Sequence, residues 1–189
     1  MAKKILKAYE ALYPVPVVLV TCADLNGKPN IITIAWAGVV CSQPAAVSIS
    51  IRPSRYSHGL IKETGEFAIN IPNERHLIET DYCGTVSGRD TDKFKLTGFS
   101  AVSASSINAP LIKECPVNIE CSVKDIIKLG AHDMFIADVL AVNVDQDALS
   151  ASGSFDHSKV SPIVYNQGQY WSLNKKIGDY GFSKSGKRP

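Results

Sequence analysis

The sequence carries no large excess of charge of either sign. Lysine and arginine number 20 against 18 aspartates and glutamates, a formal net charge of +2. A nucleic-acid-binding surface needs a basic excess, so no nucleic-acid partner is expected. Long apolar runs are missing too. The longest, Ile31 to Cys41, falls well short of the roughly 20 residues a membrane helix needs. The opening MAKKILKAYEALYP is no signal peptide, because Lys7 and Glu10 interrupt its apolar stretch and no small-residue cleavage site follows. The expected setting is therefore the cytoplasm, with no membrane association. Cysteines are few and unpatterned: Cys22, Cys41, Cys83, Cys115 and Cys121 are odd in number and form no CxxC. That argues against a disulfide framework and a zinc site, and leaves small buried apolar residues as the plain reading. HExxH is absent and His58, His76, His132 and His157 are scattered, so no metal is expected. GxGxxG, a Walker lysine and GxSxG are also absent.

What is present is a core-forming composition. Hydrophobic residues make up 45% of 189, which excludes a disordered chain. A chain of this length buries roughly 70% of its unfolded surface. With no linker and no internal repeat, residues 1–189 read as one domain, with a core from about 13 to 178. Residues 3–12 place Ile5, Ala8, Tyr9 and Leu12 on one stripe and predict a short helix ended by Pro14 and Pro16. Val15–Cys22 and Asn30–Val40 predict two strands joined by a turn at Asn26-Gly27. Ala45–Ile51 alternates Val47, Ile49 and Ile51 with Ser48 and Ser50, a strand. Ser57–Lys62 reads as a helix ending near Gly65, Glu66–Ile71 as a strand, and Glu74–Tyr82 as a helix. Gly84–Asp92 reads as a loop. Further strands are expected at 99–103, 117–127 and 134–144, and a last hairpin around Asn166-Gln-Gly168. The prediction is a mainly β (α+β) barrel or sandwich with a few short helices.

Four segments can carry chemistry. Arg52-Pro-Ser54-Arg55-Tyr56-Ser57 follows a strand and opens a helix. Its guanidiniums, hydroxyls and free backbone N–H groups suit a phosphate; solvated arginines and a serine N-cap are the plain alternative. Thr33-Ile-Ala35-Trp36, running into Cys41-Ser42-Gln-Pro44, offers small residues and a bend to a flat ligand, or simply a core strand filled by its Trp. Tyr82 to Phe94 brackets small polar residues with Gly84 and Gly88 and ends at Lys93; it reads as a ligand-bordering loop or a surface loop. His132-Asp133 follows Gly130. Taken alone, these residues fix no reaction.

Taken in order, PVPVVLVT, NGKPNIITIAWAGVVCSQP, VSISIRPSRYSHGLIKETGEFAINIP, DYCGTVSGRDTDKF and GAHDMFIADVLAV resemble the flavin reductase-like, FMN-binding split-barrel proteins, and most the flavoredoxin branch. The resemblance runs from about Tyr13 to Val144, and more loosely to Gly178. It implies a Greek-key split β-barrel, non-covalent FMN, and a homodimer with the flavin near the subunit interface. It places the FMN phosphate at Arg52, Ser54, Arg55, Tyr56 and Ser57, and the isoalloxazine along Thr33, Ala35, Trp36, Cys41 and Ser42. Gly84, Ser87 and Lys93 become flavin contacts, with Lys93 or backbone N–H groups beside the ring's N1 and O2, and Cys41 and Cys83 flanking the flavin. His132 falls where flavin reductases often carry Gly-Asp-His beside the nicotinamide; here the triplet is Gly130-Ala131-His132. The implied activity is electron or hydride transfer through FMN, with NAD(P)H or a redox protein as donor. The competing readings are a carrier serving protein redox partners, toward which the altered triplet leans, and a barrel-only module without flavin. The body is slightly acidic; the basic excess sits from Ser172 onward, in Lys175, Lys176, Lys184, Lys187 and Arg188 against Asp179, and 184–189 reads as a frayed tail.

Overall fold

The computed structural model describes residues 2–173 and 175–185. In chain order the elements are β1 (Val15–Pro16), β2 (Val18–Ala23), β3 (Pro29–Ile34), β4 (Ala37–Ser42), β5 (Ala45–Ile51), α1 (Tyr56–Thr64), β6 (Glu66–Ile71), α2 (Leu77–Thr85), α3 (Lys93–Thr97), β7 (Ala101–Val102), β8 (Leu111–Ile112), β9 (Val117–Lys128), β10 (Asp133–Val144), β11 (Ile163–Asn166) and β12 (Gln169–Ser172). Seven strands pair antiparallel in the order β3-β2-β6-β9-β10-β5-β4. β3 and β4 occupy opposite edges of this sheet, yet only Ala35 and Trp36 join them. Two residues span only about 7 Å, so the sheet must roll until its edges meet. Ser50 N–H donates to Trp36 O at 2.8 Å and extends the β4–β5 pairing back into this two-residue step. The result is the split barrel.

The barrel fills by alternation. Val18, Val20 and Cys22 of β2, Ile32 and Ile34 of β3, Val47, Ile49 and Ile51 of β5, and Phe67 and Ile69 of β6 share one interior cluster with Phe135. β2 is buried along its whole length, because its other face, with Ile31, packs under α2 and α3 against Cys83, Phe94, Phe99, Ile112 and Cys115. That double burial explains its apolar sequence, in which Thr21 is the one polar residue and is itself fully buried. α1 ends on Gly65 at φ 71°, whose N–H bonds to Ile61 O.

Three features depart from the sequence reading. Residues 3–12 form no helix: Ile5 and Leu12 are 96% and 87% exposed. The stripe is there, but no element of this chain buries it, and so short a helix is unstable unaided. The strand expected over Asn30–Val40 breaks at Ala35-Trp36, where the barrel closes. The loop expected from Gly84 begins inside α2, which runs to Thr85, and α3 was not anticipated. Of the tail, Lys184 lies in a 3₁₀ turn and 186–189 lie outside the described residues.

Two buried polar side chains, Asn70 and Glu120, are matched by several partners each, while Thr80 Oγ1, His76 Nδ1 and Glu79 Oε2 are buried without one among the described residues. The Asn70 Nδ2 donates to Leu19 O and Thr21 Oγ1 at 2.9 and 3.1 Å, and its Oδ1 accepts from Ile112 N and Asn118 Nδ2. Glu120, fully buried, accepts from the backbone N–H groups of Ser105 and Ser106, from Ser105 Oγ and from Asn143 Nδ2. Burial alone would raise its pKa, but these donors outweigh burial and hold it below the usual 4.5. A carboxylate with a depressed folded pKa stabilises the fold above its unfolded pKa and ceases to do so as pH falls through the folded value. Glu114, held down likewise by Ser100, acts in the same window. Thermal melts are expected to show stability falling below about pH 4.5. Glu120→Gln should flatten that decline and cost roughly 1–3 kcal/mol at neutral pH, since the carboxamide offers fewer acceptors to the same donors. An unchanged acid limb would contradict the assignment.

Candidate functional site

The barrel seam, the N-terminus of α1 and the segment after α2 enclose three adjoining cavities. The first, of about 270 Å³, is lined by Asn30, Ile32, Arg52, Ser54, Arg55, Tyr56, Ser57, Cys83, Gly84, Ser87, Gly88 and Lys93 among others. The second, of about 200 Å³, shares Ile32, Arg52 and Arg55 with it and adds Thr33, Ala35, Trp36, Ser50, His132 and Tyr165. The third, of about 320 Å³, shares Thr33, Ala35 and Tyr165 with the second and Gly84 with the first. The structure thus brings together Thr33, Ala35, Trp36, Arg52, Ser54, Arg55, Tyr56, Ser57, Gly84, Ser87, Lys93 and His132. It does not bring Cys41 and Ser42 there. Both are exposed on β4, beyond the register shift between Val39 and Cys41, and neither lines these cavities. Cys83 lines the first cavity, so the two cysteines do not flank one space.

The first cavity is built for an anion. Lys93 is only 4% exposed, and its Nζ donates to Ile31 O and Cys83 O, both at 2.7 Å. Burial lowers its pKa, and the neighbouring Arg55 adds to the lowering. Among the described residues, Lys93, Arg52 and Arg55 have no carboxylate in ion-pair range. α1 begins beside them with Arg55 at its N-cap, no side-chain cap and no acid in its first turn. The positive end of its dipole therefore faces the cavity unneutralised. Arg89 adds a guanidinium over the Tyr56 ring at 5.8 Å.

The surrounding backbone approaches closely. A Cβ on Gly88 would stand 1.9 Å from Asn30 Oδ1, and one on Gly84 would stand 3.2 Å from Thr33 Cβ. Asn30 Nδ2 in turn donates to the buried Ser57 Oγ at 2.7 Å, and Thr33 Oγ1 donates to Thr80 O at 2.5 Å. These bonds fix β3 against α1 and α2. Beneath the α1 N-terminus, His58 Nε2 bonds Asp133 Oδ2 at 2.8 Å and its ring meets Phe135 edge-on. Burial pushes the Cys83 thiol up to about 11 and Cys22 up to about 12, so both are neutral thiols at neutral pH.

The second cavity keeps Arg52 and Arg55 but not Lys93, and has aromatic walls. Trp36 and Tyr165 meet edge-on at 6.3 Å between centroids, with Tyr13 against both. Arg52 Nε donates to His132 Nε2 at 3.5 Å, and burial together with that guanidinium lowers the His132 pKa. Sequence reasoning passed over Asn30, Tyr165 and Tyr170. Asn30 looked like a strand start, and the two tyrosines lie in the last hairpin, which no motif marked. Only the Asn30 register against Cys22 and the Tyr165–Tyr170 cross-strand pair place them at the site.

Comparison with known proteins agrees with this geometry. A family model described as flavin reductase like domain matches residues 10–174. The flavoredoxin of Desulfovibrio vulgaris (Miyazaki F) superposes with a TM-score of 0.91 at 33% identity, over 97% of this chain and 100% of that one. A flavoredoxin from Methanosarcina acetivorans gives 0.89 at 29% identity, over 98% and 100%. An uncharacterised protein of Archaeoglobus fulgidus is 32% identical over 142 residues, 75% of this chain and 79% of the relative. An NADPH-flavin oxidoreductase of Streptomyces viridifaciens is 26% identical over 67% of this chain and 65% of its own length. With the split barrel, the cation-lined cavity and these matches in hand, the chain belongs to the flavin reductase-like family.

Proposed function

We propose that the chain is an FMN-binding oxidoreductase that takes electrons from NAD(P)H. The observation that carries the reading is the group of three cations, Arg52, Arg55 and Lys93, facing one cavity with no carboxylate in ion-pair range among the described residues, next to a second cavity lined by Trp36 and Tyr165. A phosphate fits the first cavity and a fused ring system the second. Arg52, Arg55 and the α1 N–H groups hold the phosphate, with Ser54 and Ser57 donating hydroxyls. Lys93 belongs to this end rather than to the ring's edge, since it lines the first cavity and not the second. Gly84 in the last turn of α2 and Gly88 just beyond it let the chain come close enough to border the ribityl chain. Backbone groups along Thr33 and Ala35, with Trp36, face the ring. FMN bound there supplies hydride acceptance and one- or two-electron release.

Two further parts of the reading concern setting and assembly. We place the protein in the cytoplasm; no described helix is long and apolar enough to cross a membrane. We assign it a homodimer: β4 is an edge strand with Val39 79% exposed, and the 2–14 arm presents Ile5, Leu6, Tyr9 and Leu12 uncovered. A second reading, a carrier reduced by a protein partner, draws on His132, which Arg52 engages.

The purified protein is expected to be yellow, and anaerobic NADH or NADPH should bleach it. Bleaching by a reduced carrier protein alone would replace the reductase with the carrier, and a colourless chain that FMN does not restore would remove both. Arg55→Ala should weaken FMN binding by roughly 1.5–3 kcal/mol, the scale of a hydrogen bond to a charged group, measured by flavin fluorescence titration. Gly88→Ala should lower FMN affinity while far-ultraviolet circular dichroism stays unchanged, because the added methyl displaces Asn30 from Ser57. Unaltered affinity in both variants would sink the phosphate assignment.

A further inference from the structure

The segment between β5 and α1 carries the anion-binding arginines, yet Arg52, Ser54 and Arg55 are all exposed. Two backbone bonds hold its shape from within, Arg55 N–H on Arg52 O at 2.9 Å and His58 N–H on Arg55 O at 3.0 Å. Neither bond aims a guanidinium, and a long side chain in solvent gives up much rotamer freedom when it is fixed in place.

The β9–β10 hairpin supplies that constraint. β10 pairs with β5 so that Asp133 stands opposite Ile51, and the same antiparallel register sets His132 opposite Arg52. Leu129 N–H donates to His132 O at 2.9 Å across the hairpin tip, where Gly130 takes φ 96°. Consecutive residues of extended chain point to opposite faces. His132 turns to the second cavity, where its Nε2 accepts from Arg52 Nε at 3.5 Å. Asp133 turns inward, where its Oδ2 meets His58 Nε2 at 2.8 Å. Arg52 and His58 are the two ends of the segment, so one dipeptide grips it at both.

Arg52 is thereby aimed and not neutralised. Its Nε is engaged by His132, its terminal nitrogens have no partner among the described residues, and it lines the first and second cavities alike. A guanidinium held at Nε presents its two terminal nitrogens as a fork, which suits a pair of phosphate oxygens. Burial, and then Arg52 itself, lower the His132 pKa, so the ring is neutral at neutral pH and its Nε2 is free to accept. His132 does not line the first cavity.

We propose that His132 is a positioning residue of the anion site: with Asp133 it clamps segment 52–58, and through Nε2 it holds the Arg52 fork toward a phosphate that it does not itself touch. This role rests on the flavin reading for the identity of that phosphate.

The test compares FMN with riboflavin, which has the same ring and ribityl chain but no phosphate. Both are titrated by flavin fluorescence into the wild-type chain, His132→Ala, His132→Gln, Arg52→Ala and the His132→Ala/Arg52→Ala double variant. His132→Ala is expected to weaken FMN about tenfold, the worth of one hydrogen bond to a charged group, and to leave riboflavin unchanged. His132→Gln should restore FMN affinity, because its Oε1 accepts from Arg52 in place of Nε2. The double variant should bind FMN no more weakly than Arg52→Ala alone, since His132 acts only through Arg52. Unchanged FMN affinity in His132→Ala, equal losses of FMN and riboflavin, no rescue by glutamine, or additive losses in the double variant would each overturn the clamp and leave the flavin reading standing. A wild-type chain that binds neither flavin removes that reading, and the same variants are then titrated calorimetrically with inorganic phosphate. Phosphate binding that weakens about tenfold in His132→Ala and returns in His132→Gln would uphold the clamp; any other result with phosphate would overturn it too.

Discussion

The site depends on one buried ammonium group. Lys93 lies at the first residue of α3, and its two bonds reach Ile31 on β3 and Cys83 on α2. A buried cation costs several kcal/mol unless it is paired, and two carbonyls satisfy only part of it. No carboxylate completes the shell, and Arg55 makes the charge harder to keep. A tightly held structural lysine would have an acid beside it, as His58 has Asp133 one layer below. Lys93 instead has a cavity. An arriving anion would neutralise the charge where it stands, so the same residue ties three elements together and leaves their junction incomplete.

That junction exists because the sheet closes on itself. The two-residue step from β3 to β4 forces opposite sheet edges together and puts Ala35 and Trp36 at the seam, where a regular strand would have carried straight on. Small residues at Thr33, Ala35, Gly84 and Gly88 keep the space that closure opens from being filled. The hairpin β11–β12 then covers its far side, joined to the barrel body through β1 pairing with β11 and through Tyr170 on Asp81. The cavities are thus consequences of topology, and the charged residues are placed around them by α1, α2 and α3.

How legible this was follows from where each element gets its stability. β5 reads directly from the sequence, because the alternation of Val47, Ile49 and Ile51 with Ser48 and Ser50 coincides with burial; β6 reads as a short strand whose four central residues are all buried. α1 read correctly because Gly65 stops it. Residues 3–12 misled because periodicity shows a stripe but not what covers it. Asn30 to Val40 misled because apolar residues continue across the seam, and only the sheet order reveals a break. The cation-rich segment 52–57 was visible as chemistry, since charge, hydroxyls and a helix start coincide in six residues. Lys93 was visible as a residue but not as a buried one, because its burial comes from α3 and β3, 62 positions apart in contact with Ile31. Cys41 and Ser42 looked like site residues from their nearness to Trp36, but strand pairing carries them away along the edge.

The charges of the three cavities give the site a direction. At one end stand Arg52, Arg55 and Lys93; at the other, Asp81 with Tyr170; between them lie Thr33, Ala35, Trp36 and Tyr165, without formal charge. An elongated ligand with an anionic tail has one favourable orientation in such a trough, because reversing it would put the tail against Asp81 and leave three cations facing an uncharged ring.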